Sequence, residues 1–247
     1  MRYFIELSYN GKAYHGWQKQ PNAISVQEVL EDSLSKILRQ PVSVVGAGRT
    51  DTEVHARELF AHFDTEHELE KEQLKYKLNA FLPKDIAVSD FYRVTNDAHA
   101  RFDAISRSYI YKVALKKDVF NYDFSYYFKL PLDVDKMNEA CKVLFDYEDF
   151  KCFSRSNTDV KTYKCKILKA HWTKLENELL FEIKANRFLR NMVRAIVGTM
   201  IEVGQGKISL DEFHEIIKSR DRSKAGASVP GHALYLTNVE YPKHLFI

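Results

Sequence analysis

Residues 42–65, VSVVGAGRTDTEVHARELFAHFDT, place a polar turn between two apolar segments. The run VSVV (42–45) predicts one strand, and AHFDT (61–65) predicts a partner for it. Two glycines follow the first strand, and four polar or charged side chains crowd the turn behind them: Arg49, Asp51, Glu53 and His55. Such a cluster on a glycine-containing turn often marks a functional site, although a solvated loop has the same composition.

The rest of the chain contains both the alternating pattern of strands and the three-to-four-residue spacing of helices. Alternation predicts strands at 2–9, 85–94, 105–115, 164–175, 179–185 and 233–242. Helical spacing predicts helices from the capping residue Ser25 to Pro41, around 71–81, around 137–145, from an N-cap at Asn186 to about Val203, and at 210–219. This order favours an α+β protein with two similar halves around antiparallel sheets, an N-terminal half at 1–104 and a C-terminal half at 105–247.

Composition narrows the class of protein. The chain has 247 residues, 45% hydrophobic and 29% charged, which is typical of a globular protein and argues against long disordered segments. No run approaches the roughly 18 apolar residues of a membrane span, and the N-terminus has no apolar signal core. Three separate cysteines and scattered histidines predict reduced thiols, no metal site and a cytoplasmic location. A net charge of +3 permits a polyanionic partner without requiring one.

The polar turn itself allows several interpretations. Arg49 near Asp51 would keep the carboxylate ionised, which suits a nucleophile or a general base. A turn-capping aspartate with a surface ion pair would have the same local sequence. Asp51 and Glu53 together could instead be the two carboxylates of a glycosidase, but their spacing does not establish the geometry that such an enzyme needs.

Other stretches carry features suited to RNA. Arg187, Arg190 and Arg194 would fall within an arc of about 60° on the helix predicted from Asn186, and they need anionic partners, either internal carboxylates or RNA phosphates. Tyr109 and Tyr111 alternate on a predicted strand beside Arg107. At least one tyrosine should pack in the core, while the other could stack on a base.

The segment YNGKAYHGWQKQP (9–21) mixes basic, aromatic and amide side chains in a glycine-containing loop. This mixture suits single-stranded or loop RNA better than a small apolar ligand. We expect Tyr14, Trp17 and Gln18 of this loop to contact substrate. We expect the same of His55 and Arg101, which stand in the two HAR tripeptides of the chain (55–57 and 99–101).

Taken together, these stretches resemble the TruA family of tRNA pseudouridine synthases. The matching pieces run the length of the chain in order: YNGKAYHGWQKQP, SVQEVLE, GAGRTDTEVHA, LNAFLPKDIAV, HARFDAISRSYIYKV, DFKCFSR, ANRFLRNMVRAIVGTMIEVG and ALYLTNVEYP. The resemblance implies the pseudouridine synthase fold, with two similar halves, a central cleft, and helices packed on the sheet. It also implies isomerisation of uridine at positions 38, 39 and 40 of the tRNA anticodon stem-loop, by a homodimer that needs no cofactor.

The resemblance assigns roles to four of the candidates. Asp51 matches the catalytic aspartate, which attacks C1′ or removes a ribose proton. Arg49 matches the arginine that displaces and holds the flipped nucleotide, Tyr109 the tyrosine that packs on the uracil, and Arg194 the basic residue that pairs with the aspartate. Arg101, Arg107, Arg187 and Arg190 are expected to bind the RNA.

The chain departs from the family pattern next to the aspartate. Thr52-Glu53 stands where the family usually has Ala-Gly, and glycine there would supply conformational freedom that Glu53 lacks. Ala233 stands where a glycine is common. Two alternatives stay open from the residues: an RNA-binding protein that has lost catalysis, and a carbohydrate hydrolase that uses Asp51 and Glu53.

Overall fold

A computed structural model of the chain describes residues 1–156 and 160–247. In chain order, its elements are β1 (Arg2–Tyr9), α1 (Val26–Leu38), β2 (Val45–Gly46), β3 (His55–Asp64), α2 (Lys71–Phe81), β4 (Ile86–Val94), β5 (Ser106–Ala114), β6 (Tyr126–Tyr127), α3 (Val134–Val143), β7 (Ile167–Lys174), β8 (Glu178–Ala185), α4 (Met192–Gly204), α5 (Leu210–Ser219) and β9 (Leu234–Glu240). The chain forms two compact units: unit 1 comprises Met1–Ser106 and Tyr235–Ile247, and unit 2 comprises Arg107–Leu234. Residues 235–247, expected with the C-terminal half, therefore lie with the N-terminal unit.

Unit 1 is built on a sheet with strand order β4-β1-β3-β9, and β2 pairs with β3. Both faces of β1 are buried. Tyr3, Ile5 and Leu7 are part of the core on one face. On the other face Phe4 contacts Tyr241 and Phe246 edge-on, at ring-centroid distances of 5.0 and 6.1 Å. The C-terminal segment thus completes the core of unit 1.

Unit 2 has antiparallel β5, β8 and β7, with β6 beside β5. One face of this sheet is apolar: Trp172 stacks on Phe181 at 4.9 Å and donates its indole N–H to Met200 Sδ at 3.3 Å. Met200 belongs to α4, which is buried along nearly its whole length. This largely apolar helix forms the centre of the unit.

Most of the predicted elements are present, and the α+β class is confirmed. The sheet is mixed rather than antiparallel, because β3 pairs with β9, and β5 with β6, in parallel. The short strand β6 was not predicted from the sequence, because two residues carry no usable periodicity.

The strand predicted at 42–45 is wrong in extent, since only Val45–Gly46 pairs as a strand. Side chains of α1 form hydrogen bonds with the backbone groups of Val42 and Val44 instead. Ser35 Oγ accepts from Val42 N at 2.9 Å, Glu31 accepts from Val44 N at 3.0 Å, and Gln27 donates to Val44 O at 3.0 Å. These hydrogen bonds satisfy buried backbone groups that a neighbouring strand would otherwise have to pair.

Candidate active site

The turn that carries Asp51 has a defined backbone geometry. Val54 N donates to Asp51 O at 3.2 Å, which closes a four-residue turn, and Glu53 N donates to Tyr14 O at 3.2 Å. Glu53 has a φ of 65°, whereas Thr52 does not have a positive φ. A positive φ at the third position alone is the pattern of a type II turn, which favours glycine there. Glu53 thus occupies a left-handed conformation at a turn position that favours glycine.

Three residues expected to contact substrate form the framework beneath this turn. Trp17 is 1% exposed and Tyr14 is 4% exposed. Trp17 N donates to Thr50 O at 3.3 Å, and Tyr14 OH donates to Asp85 at 2.7 Å. His55 is buried, accepts from Gly11 N through Nδ1 at 3.0 Å and stacks on Tyr235.

These contacts hold residues 10–20 tightly against the segment GAGRTDTEVHA (46–56), here called the motif. A Cβ at Gly46 would lie 2.4 Å from Trp17 Nε1, so the first glycine of the motif is required by the buried indole. Burial, together with the hydrogen bond to Asp85, raises the pKa of Tyr14. Tyr14 therefore stays a neutral donor at any physiological pH, and the side chains of Tyr14 and Trp17 offer almost no surface for stacking a base in this conformation.

Arg49 and Gln18 lie on the accessible side of the same region. Arg49 is exposed, and its Nε donates to Gln18 Oε1 at 3.2 Å. Asp51, two residues further on, is half-buried. A half-buried carboxylate two residues along the chain from an exposed arginine is an arrangement that can meet an RNA backbone while keeping a reactive oxygen at the surface.

Arg101 lies in a second loop of unit 1. Its guanidinium sits 5.7 Å from the ring centre of Phe102, and both side chains are exposed. The loop backbone is held from below, because Ala100 N donates to His62 Nδ1 at 3.1 Å. Burial lowers the pKa of His62 to about 4, so the imidazole is neutral and can accept this bond. An arginine and an aromatic ring are thereby presented on an ordered loop.

In unit 2, Arg107, Tyr109 and Tyr111 alternate along β5 and so lie on the same face of the strand. This face is half-buried at Arg107 and Tyr109 and fully buried at Tyr111. Tyr109 is half-buried and meets Phe188 edge-on at 5.2 Å. Arg107 donates to Asn186 O at 3.0 Å. The expectation that one of the two tyrosines packs in the core is confirmed, since Tyr111 is fully buried while Tyr109 keeps an accessible surface.

The helix predicted from Asn186 is wrong at its start, since α4 begins at Met192 after Asn191, which has a φ of 67°. Asn186 instead pairs with the residues before β7: its N donates to Lys166 O at 3.1 Å, and its side-chain oxygen accepts from Lys166 N at 2.7 Å. These bonds extend the strand pairing and prevent a helical turn there. Arg187 and Arg190 therefore precede the helix, and of the three arginines only Arg194 lies on it.

Arg194 is held by a segment that crosses α4, here called the strap (residues 225–230). Its Nε donates to Val229 O at 2.7 Å, and Val229 N donates to Arg194 O at 3.3 Å. Tyr111 OH donates to Pro230 O at 3.0 Å. No sequence signal predicts the strap, because its residues carry neither charge nor periodicity.

Gln27 was also missed, although a signal for it was present in the sequence. It lies on the buried side of α1 with Val26 and Leu30 and is 9% exposed. A polar amide among the core positions of an amphipathic helix must find hydrogen-bond partners, and so indicates a local network.

All three cysteines are buried. Across residues 1–156 and 160–247, no group of three His, Cys, Asp or Glu side chains could hold a metal ion. Burial raises the pKa of the Cys141 and Cys152 thiols to about 12 and that of Cys165 to about 11, which keeps all three protonated and unreactive. None of the helices described is both long and apolar enough to cross a membrane.

Known proteins identify the family. A family model described as tRNA pseudouridine synthase matches residues 7–103 and 140–242. Proteins named tRNA pseudouridine synthase A are similar over nearly their whole length: one from Parabacteroides distasonis is 56% identical over 99% of this chain and 98% of its own, and one from Bacteroides fragilis is 54% identical over the same shares. The Bacillus subtilis protein of that name is 40% identical over 98% of this chain and 99% of its own. The chain belongs to the tRNA pseudouridine synthase family.

Proposed function

We propose that this enzyme isomerises uridine to pseudouridine at positions 38, 39 and 40 of the tRNA anticodon stem-loop, with Asp51 as the catalytic nucleophile or base. The observation that carries the proposal is the turn around Asp51. Backbone hydrogen bonds and a buried aromatic framework hold it in one conformation, in a chain whose relatives bear the name of this reaction. Preorganisation of this kind lowers the cost of aligning a reactive oxygen.

The reaction breaks the N1–C1′ bond of uridine, turns the base while it is held, joins C5 to C1′, releases the C5 proton and places a proton on N1. Asp51 either attacks C1′, giving a covalent intermediate that C5 later displaces, or removes a ribose proton and returns it when C5 joins C1′. Tyr109, half-buried on β5, packs on the detached base and assists loss of the C5 proton. Arg194 supplies the positive charge that acts with the aspartate in the reaction.

The RNA-contacting residues in this proposal are the accessible ones. Arg49, Arg101 and Arg190 are exposed, and Arg107, Arg187 and Gln18 are half-buried, so all six can reach phosphates or unpaired bases. Arg49 displaces the target nucleotide and holds the flipped conformation, at an unstacking cost of a few kcal/mol. The buried framework of Tyr14, Trp17 and His55 acts on the substrate indirectly, because it holds the backbone that carries Arg49 and Asp51.

The wider assignments belong to the same proposal. The enzyme acts in the cytoplasm as a homodimer, without a cofactor, because an isomerisation moves no electrons to an external acceptor. Its two halves, which correspond to units 1 and 2, have the similar folds and the central cleft of pseudouridine synthases. A crystal structure with a tRNA carrying 5-fluorouridine at position 39 would test the cleft and the dimer together.

The decisive experiment treats unmodified tRNA with wild type, Asp51→Asn and Glu53→Gln, then maps pseudouridine by carbodiimide-stop primer extension across the anticodon arm. We expect stops at positions 38–40 with wild type and Glu53→Gln, and none with Asp51→Asn, which should still shift tRNA in a gel. No stops with wild type would contradict the proposal and leave an RNA-binding protein. Stops lost equally with Asp51→Asn and Glu53→Gln would contradict the assignment of Asp51 as the single essential carboxylate, and a two-carboxylate hydrolase would give no stops even with wild type.

A further inference from the structure

A line of side-chain hydrogen bonds, here called the relay (Gln27, Gln18 and Arg49), links α1 to the accessible arginine of the motif. Gln18 donates through Nε2 to Gln27 Oε1 at 3.0 Å, and Arg49 donates through Nε to Gln18 Oε1 at 3.2 Å. The relay begins at a buried residue, passes through a half-buried one and ends at an exposed one. It therefore connects the core of unit 1 to its surface.

Backbone groups fix the direction of both amides. Gln27 Oε1 accepts from Lys19 N at 3.0 Å, and a backbone N–H can only donate. Gln27 Nε2 donates to Val44 O and to a carboxylate oxygen of Glu31, each at 3.0 Å, and both of these can only accept. If the Gln27 amide were flipped, its NH2 would face the Lys19 N–H, and its oxygen would face the oxygens of Val44 and Glu31. With Gln27 fixed, Gln18 must present its oxygen toward Arg49.

The same buried side chains hold the backbone of the motif. Glu31 Oε1 accepts from Val44 N at 3.0 Å while it accepts from Gln27. Gln27 thus uses all its hydrogen-bonding capacity, with two donated and two accepted bonds. These bonds hold Val44, which precedes the motif, and Gln18, which contacts Arg49. A fully satisfied buried network of this kind is rigid and specifies one geometry.

We infer that Gln27 is a positioning residue for catalysis: through Gln18 it holds the Arg49 guanidinium in the orientation that displaces the target nucleotide. This inference rests on the proposed function of Arg49. Lacking the relay, Arg49 keeps its charge and still attracts RNA, but its long side chain samples several rotamers before the nucleotide is displaced. The relay should therefore matter most when the uridine has to leave a base pair.

The test compares Gln27→Met, which keeps the size of the side chain and removes its hydrogen bonds, with the matched control Gln40→Met. Each variant is assayed on a tRNA transcript whose target uridine is paired in the stem, and on a single-stranded oligonucleotide with the same flanking sequence. For Gln27→Met we expect kcat on the paired uridine to fall about tenfold with KM changed less than twofold, and a clearly smaller loss on the single strand. Gln40→Met should match wild type on both substrates.

A double-mutant cycle with Arg49→Met separates positioning from folding. If the relay acts through Arg49, adding Gln27→Met to Arg49→Met causes no further loss of kcat. An equal additional loss in both backgrounds, or an equal loss on paired and unpaired uridines, would overturn the inference and assign Gln27 a structural role. Wild-type kcat for Arg49→Met would also overturn it.

Two further measurements keep the outcome decisive. Should Gln27→Met melt below the assay temperature, Gln18→Met replaces it, since Gln18 is half-buried and can be changed without opening the core. Its expected effect on kcat is the same, while KM should also rise because Gln18 itself contacts the RNA; failure to lower kcat on the paired uridine would overturn the inference. Pseudouridine formation by the wild type is scored in the same assay, so failure of the proposed function is seen separately from failure of the relay.

Discussion

The Asp51 turn in unit 1 and the Arg194 helix in unit 2 present their proposed catalytic side chains in different ways. The Asp51 turn is closed by a bond between residues three apart, and its one unusual feature is the left-handed Glu53. Arg194 lies on a regular helix and takes its orientation from Val229, 35 residues further along the chain. The conformation of the Asp51 turn is defined by its own backbone, whereas the Arg194 side chain is oriented by a distant segment.

This difference determines where each site is sensitive. The turn should tolerate changes in its exposed side chains, provided that the backbone conformation survives. The helix should be disturbed by changes that never touch Arg194 but move the strap. The predictions below test this contrast, beginning with the largest expected effect.

Replacing Arg194 tests whether its fixed orientation matters beyond its charge. Arg194→Met should lower kcat about 1000-fold, and Arg194→Lys, which keeps the charge but loses the planar fork held at Val229 O, about 100-fold. Single-turnover pseudouridine formation on tRNA measures both. Near-normal kcat for Arg194→Lys would mean that the strap contact is irrelevant to catalysis.

Gly198→Ala tests the strap directly. An added Cβ would lie 1.8 Å from Ala227 O, so the strap has to move, and we expect a loss of about 3 kcal/mol in the free energy of unfolding. Gly48→Ala is the matched control in the motif, because a Cβ there meets nothing within 4 Å. Denaturant titration of the two variants should separate them clearly; equal stability would show that the strap is not tightly packed.

Tyr111→Phe removes the donor to Pro230 O without changing the packing of the ring. Leaving this carbonyl without its partner should cost about 1–2 kcal/mol and lower kcat modestly through the strap. Thermal unfolding and the pseudouridine assay together check this expectation. A stability loss with kcat fully retained would separate the Pro230 anchor from the orientation of Arg194.

Glu53→Gly should have the smallest effect of these substitutions, and it should increase the free energy of unfolding rather than lower it. Glycine adopts a φ of 65° without steric cost, so the variant should be more stable by about 0.5–1 kcal/mol after the higher entropy of its unfolded chain is subtracted. Glu53→Ala is the control, since alanine keeps the steric cost and removes only the carboxylate. A gain in stability from Glu53→Ala of the same size would trace the effect to charge rather than to backbone strain.

Much of the fold could be read from periodicity. The strand at 2–9, the helix at 71–81 and the capping of α1 by Ser25 agree with the structure, because each has a strong local signal. The helix predicted from Asn186 failed at its start because strand-like pairing with Lys166 competes with helix capping for the same asparagine. A single sequence does not reveal such competition between local and distant hydrogen bonds.

The candidate site divides in the same way. The sequence by itself determined the family, the identity of Asp51 and Arg49 in the motif, and the departure at Glu53, since all of these are carried by contiguous residues. The burial of Tyr14 and Trp17, the strap over Arg194 and the relay through Gln27 were decided only by the tertiary structure. Each depends on contacts between segments distant along the chain, and which buried polar group finds which partner is settled only when those segments pack together.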